Sequence, residues 1–378
     1  MPAFTPQAVR AVTDGDVDVR TAAAERAAAM PLPTVAEEVW RYSRIGELDL
    51  DAFRPARATT TVERADGFDA DADADVDTST VHDLFDELNA AFADTVTLTI
   101  PKGTVVAEPI VVTHTVGADG EAIFPRLVVD VGENSEVTIV ERFRSASGDL
   151  HALVVPRLYL RARQAARVSY LAVQQLGAKV WQLGNQQAVG ERDSTTQLAT
   201  VALGGDYARV RTDAQVAGQG ATTRQIALYF ADGTQMHDFR TKQDHIAPRT
   251  NSDLLFKGAV QDHARSVYTG LIHIGPDAKG SVAFQTNRNL TLSEGAWAES
   301  VPNLEIETND VKCSHASTVG PVDDEQRFYL ESRGIPPDVA ERLVVLGFFD
   351  EVLGRLPVGA MAGRLRAQVQ AKLERRSA

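Results

Sequence analysis

The feature that most constrains this chain is a stretch from about residue 95 to residue 308 with almost no helical periodicity. Short β-like runs follow one another there, separated by Gly, Asp or Asn. They include Thr95–Ile100, Arg126–Val131, Glu136–Phe143, Ala152–Leu160, Arg167–Val173, Thr195–Leu203, Tyr207–Val216, Thr222–Phe230, Ser266–Ile274 and Ser281–Leu290. Alternating polarity and β-branched residues mark them as strands. Their spacing is irregular and no motif recurs at the roughly 40–50 residues of a propeller blade. A sandwich, a barrel or a solenoid remains. Polar residues within or beside the runs (Gln174, Gln175, Gln186, Gln187, Thr195, Thr196) suit the stacked ladders of a solenoid, so the pattern leans that way.

Both flanks read as helical. The region 1–94 holds the Ala-rich Arg20–Met30 and the segment Thr80–Phe92, with Val81, Leu84, Phe85 and Leu88 at helical spacing and Thr80 as the expected N-cap. Between them, Asp66–Asp77 carries six aspartates, without the central Gly and twelfth-position Glu of a calcium loop; it is expected to be solvated and flexible. The region 309–378 is expected to contain a helix over Asp323–Ser332 ended by Gly334. A second helix opens at Pro336-Pro337, with Val339, Leu343, Leu346 and Phe349 on its buried face. An amphipathic tail follows with Leu365, Val369 and Leu373.

Charge and cysteine content narrow the function. The formal net charge of −14 argues against a nucleic-acid binder. No apolar run is long enough to span a bilayer, and the N-terminus lacks signal-peptide character, so a soluble, cytoplasmic protein is expected. Cys313 is the single cysteine among 378 residues, which excludes an intramolecular disulfide and any four-cysteine metal site built by one copy. It lies in Cys313-Ser314-His315, where thiol and imidazole two residues apart on a strand share a face. They are half a metal site at most, and from the residues alone a packed thiol beside a hydrogen-bonded histidine is the favoured reading. His237, His245, His263 and His273 form no metal-binding spacing and are expected to be structural or surface residues. No phosphate-binding loop is present, so no nucleotide is expected on this chain.

The stretch Leu254–Leu356 resembles the SufB/SufD family of iron–sulfur cluster assembly proteins. The matching elements are Phe256-Lys257-Gly258; Asp262-His263-Ala264-Arg265-Ser266; Gln285-Thr286-Asn287-Arg288-Asn289-Leu290; Pro302-Asn303-Leu304-Glu305-Ile306; Asp310 to His315; Thr318-Val319-Gly320; the run from Asp324 through Phe328-Tyr329-Leu330 to Ile335; and the close at Gly347-Phe348-Phe349. The segment Glu37-Glu38-Val39-Trp40-Arg41-Tyr42 is similar to an element near the start of SufD members. The resemblance implies a right-handed parallel β-helix core flanked by helical N- and C-terminal regions. It also implies a non-catalytic scaffold in a SufB–SufC–SufD complex, with ATP hydrolysis in the SufC-type ATPase. A SufB-like paralogue would bind the β-helix core, and the ATPase the C-terminal helices through Phe328, Tyr329, Arg333, Phe348 and Phe349. A transient iron–sulfur cluster would be shared with SufB near Cys313 and His315, with His315 the stronger contributor; flavin is left open. One cysteine and a short chain point to the SufD side. Two departures stand out: Ala316 replaces a usual Gly, so a different local turn is expected, and Val282 replaces a frequent Asp. The alternatives are a SufB-like homo-oligomeric scaffold and a β-helix carbohydrate-active enzyme.

Overall fold

The structure, a computed structural model, describes residues 3–12, 16–64 and 74–375. Its strands build a β-solenoid from two sheets of eleven and nine strands, the chain passing from one sheet to the other and back. The first sheet includes Val180–Gly190, Tyr207–Val216, Met236–His245, Arg265–Ile274 and Trp297–Ile306 in that order. The second runs through Ile110–Val116, Glu136–Ser145, Arg167–Gln175, Thr195–Ala202, Thr222–Ala231, Asn251–Val260, Ser281–Thr291 and Val311–Gly320. Successive strands within each sheet pair in parallel, as coils stacked through long crossovers must. At the start, Thr59–Glu63 instead pairs antiparallel with Ile110–Val116.

The register shows why no sequence repeat is visible. Arg167, Thr195, Thr222, Asn251 and Val282 stand one above the next, so successive coils take 28, 27, 29 and 31 residues. The repeat is conformational instead. Asn134, Ala165, Asp193, Gly220 and Arg249 each sit two residues before a strand of the second sheet, and all have positive φ, from 56° to 76°. A left-handed residue turns each corner, and four side-chain types other than glycine occupy it, so composition hides it.

Side chains alternate between the lumen and the outer faces. Early coils fill the lumen with Ile139, Leu158, Tyr170 and Leu198; later coils use Tyr229, Phe239, Phe256 and Tyr268, interleaved with paired polar groups. The Tyr229 hydroxyl donates to Asn289 Oδ1 (2.6 Å) and accepts from Asn287 Nδ2 (3.0 Å). Gly258 lies against the Tyr229 ring, and a Cβ there would overlap it. Gly258→Ala is therefore expected to cost about 1–3 kcal/mol through overpacking, read as a lowered denaturation midpoint with an unchanged denaturant slope.

Polar lumen residues also set acid lability. His237 Nε2 donates to the Gly204 carbonyl (3.0 Å), and His245 sits between the hydroxyls of Thr250 (2.7 Å) and Ser252 (2.8 Å). Burial pushes the pKa of each down to about 4. The unfolded chain takes up these protons below about pH 6.5 while the folded chain does not. Stability is expected to fall as pH drops from 6.5 toward 4, by about 3 kcal/mol per histidine. His245→Gln, followed by denaturant titration across that range, should flatten the dependence.

The N-terminal helices α1 (Pro6–Val12), α2 (Val17–Ala29) and α3 (Leu84–Phe92) cover the outer face of the first sheet over Trp181, Leu183, Tyr207, Met236 and Val267. The α3 helix starts later than its periodicity suggests. Asp83, not Thr80, is the N-cap, its carboxylate accepting from the Phe85 N–H (2.9 Å); an anion there also meets the positive helix end. Asp86 in the first turn forms a buried ion pair with Arg157 of the solenoid. Trp40 is buried beneath the Arg209 guanidinium, 4.0 Å from the ring centroid, so the Glu38–Tyr42 element is a clamp onto the sheet. Asp66 to Asp73 of the acidic run lies outside the described residues; Asp75 beyond it pairs with Arg161 (2.8 Å) and Arg163 (3.3 Å).

At the other end, α5 (Pro337–Leu353) and α6 (Gly359–Arg375) lie on the second sheet over Val201, Leu228, Phe230 and Leu255; α4 (Asp324–Glu331), capped by Asp323, buries no residue. The expected buried face of α5 is displaced. Ala340, Val345, Leu346, Phe349, Val352 and Leu353 are buried, while Leu343 is exposed. Apolar residues surround most of this helix, so spacing alone did not define its packed side. Leu365, Val369 and Leu373 of α6 dock on the body of the chain. Two further expectations change. The run Ala152–Leu160 is two strands, Ala152–Val154 and Arg157–Ala162, broken where Pro156 lacks an N–H. The strands also continue through Val311–Gly320, so the Cys-Ser-His segment belongs to the solenoid, beyond the expected end at residue 308.

Candidate functional site at the open end of the solenoid

Two strands finish the sheets. Trp297–Ile306 is last in the first and Val311–Gly320 is last in the second, so among the described residues each has one edge without a neighbour in its sheet. Cys313 stacks on Ala283 and His315 on Gln285, both buried. Below Gln285 the same row descends through Leu254, Gln225, Leu198, Tyr170 and Ile139. Cys313 and His315 therefore share the inward row, as the two-residue spacing implies, at the last coil, beyond which no further strand stacks among the described residues. Ser317, next in that row, donates from Oγ to Ser300 Oγ (2.7 Å) and ties the two end strands together.

The two groups differ in environment. Cys313 is half-buried and, like Leu304 and Val311, packs against the apolar cluster of Ile272, Ile274, Ala278 and Ala283. That apolar setting pushes the thiol pKa up and disfavours the thiolate. His315 is exposed, and no described residue hydrogen-bonds its ring, so the expected structural partner for this histidine is missing. Ala316 lies mid-strand without positive φ, so the altered turn expected from the missing Gly does not arise. The outward position of Val282, in place of Asp, leaves the inward row intact.

Among the described residues no three His, Cys, Asp or Glu side chains gather closely enough to hold a metal ion. Cys313 and His315 could supply two ligands at most, so they fit a cluster only as one share of a larger ligand set. His273, absent from any motif, bridges Asp244 (2.6 Å) and Glu307 (2.9 Å) on the outer face, which raises its pKa; it fastens the end of the last coil of the first sheet.

The second set of candidate residues divides. Phe328 and Tyr329 are 71% and 58% exposed on α4, and Arg333 lies over the Tyr329 ring (4.9 Å) and donates to its hydroxyl (3.1 Å). Phe349 is fully buried against Phe230, with ring centroids 6.2 Å apart, so it is a core residue and no docking residue. Phe348 is half-buried beneath Lys257, whose ammonium is 4.4 Å from the ring centroid, donates to the Phe348 carbonyl (2.9 Å) and pairs with Glu351 (2.6 Å). Lys257 thus anchors α5 to the solenoid, a role the Phe-Lys-Gly motif flagged without explaining. No hydrogen bond, ion pair or ring contact among the described residues joins the α4 patch to Cys313 or His315.

No helix among the described residues is long and apolar enough to cross a membrane. Residues 114–348 match the family model for the SUF system FeS cluster assembly SufBD core domain. A SufBD family iron–sulfur cluster assembly protein of Mycobacterium tuberculosis is 33% identical over 364 residues, covering 92% of this chain and 90% of the relative. The iron–sulfur cluster assembly proteins SufD of Escherichia coli and Bacillus subtilis are each 29% identical, over 77% and 73% of this chain and 70% and 64% of their own lengths. The match runs from the strand Ile110–Val116 through the open end of the solenoid and into α5, and one relative is similar along nearly the whole chain: this chain belongs to the SufBD family of iron–sulfur cluster assembly proteins.

Proposed function

We propose that this chain is a SufD-like, non-catalytic scaffold subunit. Its open solenoid end meets a SufB-like paralogue, and a nascent iron–sulfur cluster, the product being assembled, is held between them. The observation that carries the reading is the position of His315: exposed and unpaired, at the mouth of the lumen, on a strand whose free edge can accept another strand. Two ligands from this chain leave the others to the partner. His315 is the stronger contributor because neutral imidazole ligates without paying for burial of a thiolate. The exposed Phe328, Tyr329 and Arg333 offer an aromatic and cationic patch of the composition that anchors interfaces, here for a SufC-type ATPase. ATP hydrolysis then belongs to that partner.

The test is assembly. Sedimentation of the purified chain alone, with the paralogue, and with paralogue and ATPase should give a complex holding both partners. A self-associated species that ignores the paralogue would contradict the heteromeric reading and favour a homo-oligomeric scaffold.

A further inference from the structure

Gln285 is only 1% exposed, yet neither its amide oxygen nor its amide nitrogen has a hydrogen-bond partner. Other buried side chains among the described residues leave one polar atom unpaired, but Gln285 alone leaves both ends of an amide so. Its lumen neighbours are paired: Asn287 and Asn289 with the Tyr229 hydroxyl, Thr241 with the Tyr268 hydroxyl (3.2 Å). Space has been left for the amide. Opposite it stands Gly270, where a Cβ would come within 2.6 Å of Gln285 Nε2 and 2.7 Å of Oε1. An amide buried this way is costly unless something completes its hydrogen bonds.

The missing partner is one rung away. His315 stacks directly on Gln285 in the inward row, and neighbouring strands lie roughly 4.8 Å apart. Its ring is also without a partner among the described residues, so a contact with the amide breaks no other hydrogen bond of either group. A metal-ligating histidine commonly gives its second ring N–H to an oxygen acceptor, which fixes tautomer and ring orientation.

We propose that Gln285 is the positioning residue for His315. Its amide oxygen accepts the N–H of one ring nitrogen, and the other nitrogen is held unprotonated, facing out of the lumen toward the partner. The proposal rests on the reading of His315 as a cluster-site residue. Its test does not, because it is read on the cluster-free chain.

Label the full chain with ¹⁵N-imidazole histidine and record long-range ¹H–¹⁵N spectra above pH 7.5, assigning His315 by its loss in His315→Ala. The wild type should show one tautomer. Gln285→Leu should show both in comparable amounts, while Gln285→Glu, which keeps an acceptor, should return to one. A mixed population in the wild type overturns the proposal whatever the variants do. So does a single tautomer that persists in folded Gln285→Leu, since the amide then holds only a buried water. Should Gln285→Leu not fold, Gln285→Asn, too short to reach the ring, is expected to give the mixture, and an unchanged single tautomer there overturns the proposal equally. If the tautomer responds as expected but His315→Ala leaves cluster yield intact, the contact stands and the cluster-site reading falls.

Discussion

Replacing His315 with alanine is expected to lower the cluster content of the reconstituted complex by about tenfold or more while leaving its assembly unchanged. The separation follows from where the residue sits. The His315 side chain is exposed and its ring makes no hydrogen bond to a described residue, so its removal leaves no buried group unpaired. The strand that carries it keeps its parallel pairing with Ser281–Thr291, and the Ser317–Ser300 tie remains. A fall in assembly equal to the fall in cluster content would make the residue structural. Cys313→Ala is expected to have the smaller effect on cluster content, because Cys313 packs against the cluster of Ile272, Ile274, Ala278 and Ala283 and burial opposes its ionisation.

The second large effect is expected at α4. Phe328→Ala combined with Tyr329→Ala should weaken ATPase binding by about 30-fold or more, the scale of one aromatic hot spot. Both rings project from a helix that buries nothing, so the melting temperature should not move. Phe349→Ala is the contrasting control. That ring fills the core against Phe230, and its loss should cost about 3–5 kcal/mol of stability. Isothermal titration with the purified ATPase, beside thermal melts, separates the two. Unchanged affinity in the double variant would move the docking surface elsewhere.

What the sequence conveyed depended on how each residue's role is encoded. Strands with alternating apolar residues, such as Tyr207–Val216, are legible to the residue. Strands such as Met236–His245 and Asn251–Val260 are not. Their inward residues include His237, Thr241, Gln243, Ser252 and Gly258, polar or small groups that make sense only against the coils above and below. Corner residues are hidden for the same reason: Ala165 and Asp193 perform the task of Gly220 without sharing its identity. At the site, the shared face of Cys313 and His315 followed from spacing alone, whereas its position at the uncovered end needed the register. Phe349 stood both on the expected buried face of α5 and among the expected docking residues, and the packing of α5 decides for the core, leaving Phe348 half-buried. The signal for Gln285 was its place two residues before Asn287, but its significance appears only when the lumen is seen to leave its amide unpaired.

The central claim is that a cluster is shared across the open end of the solenoid with His315 as this chain's ligand. It is tested most directly by preparing the complex with ¹⁵N-imidazole histidine in this chain only, loading it with cluster in a paramagnetic state, and recording pulsed electron–nuclear double resonance. A directly coordinated ¹⁵N, lost in His315→Ala, is the predicted result. A cluster-loaded complex with no ¹⁵N coupling from this chain would contradict it.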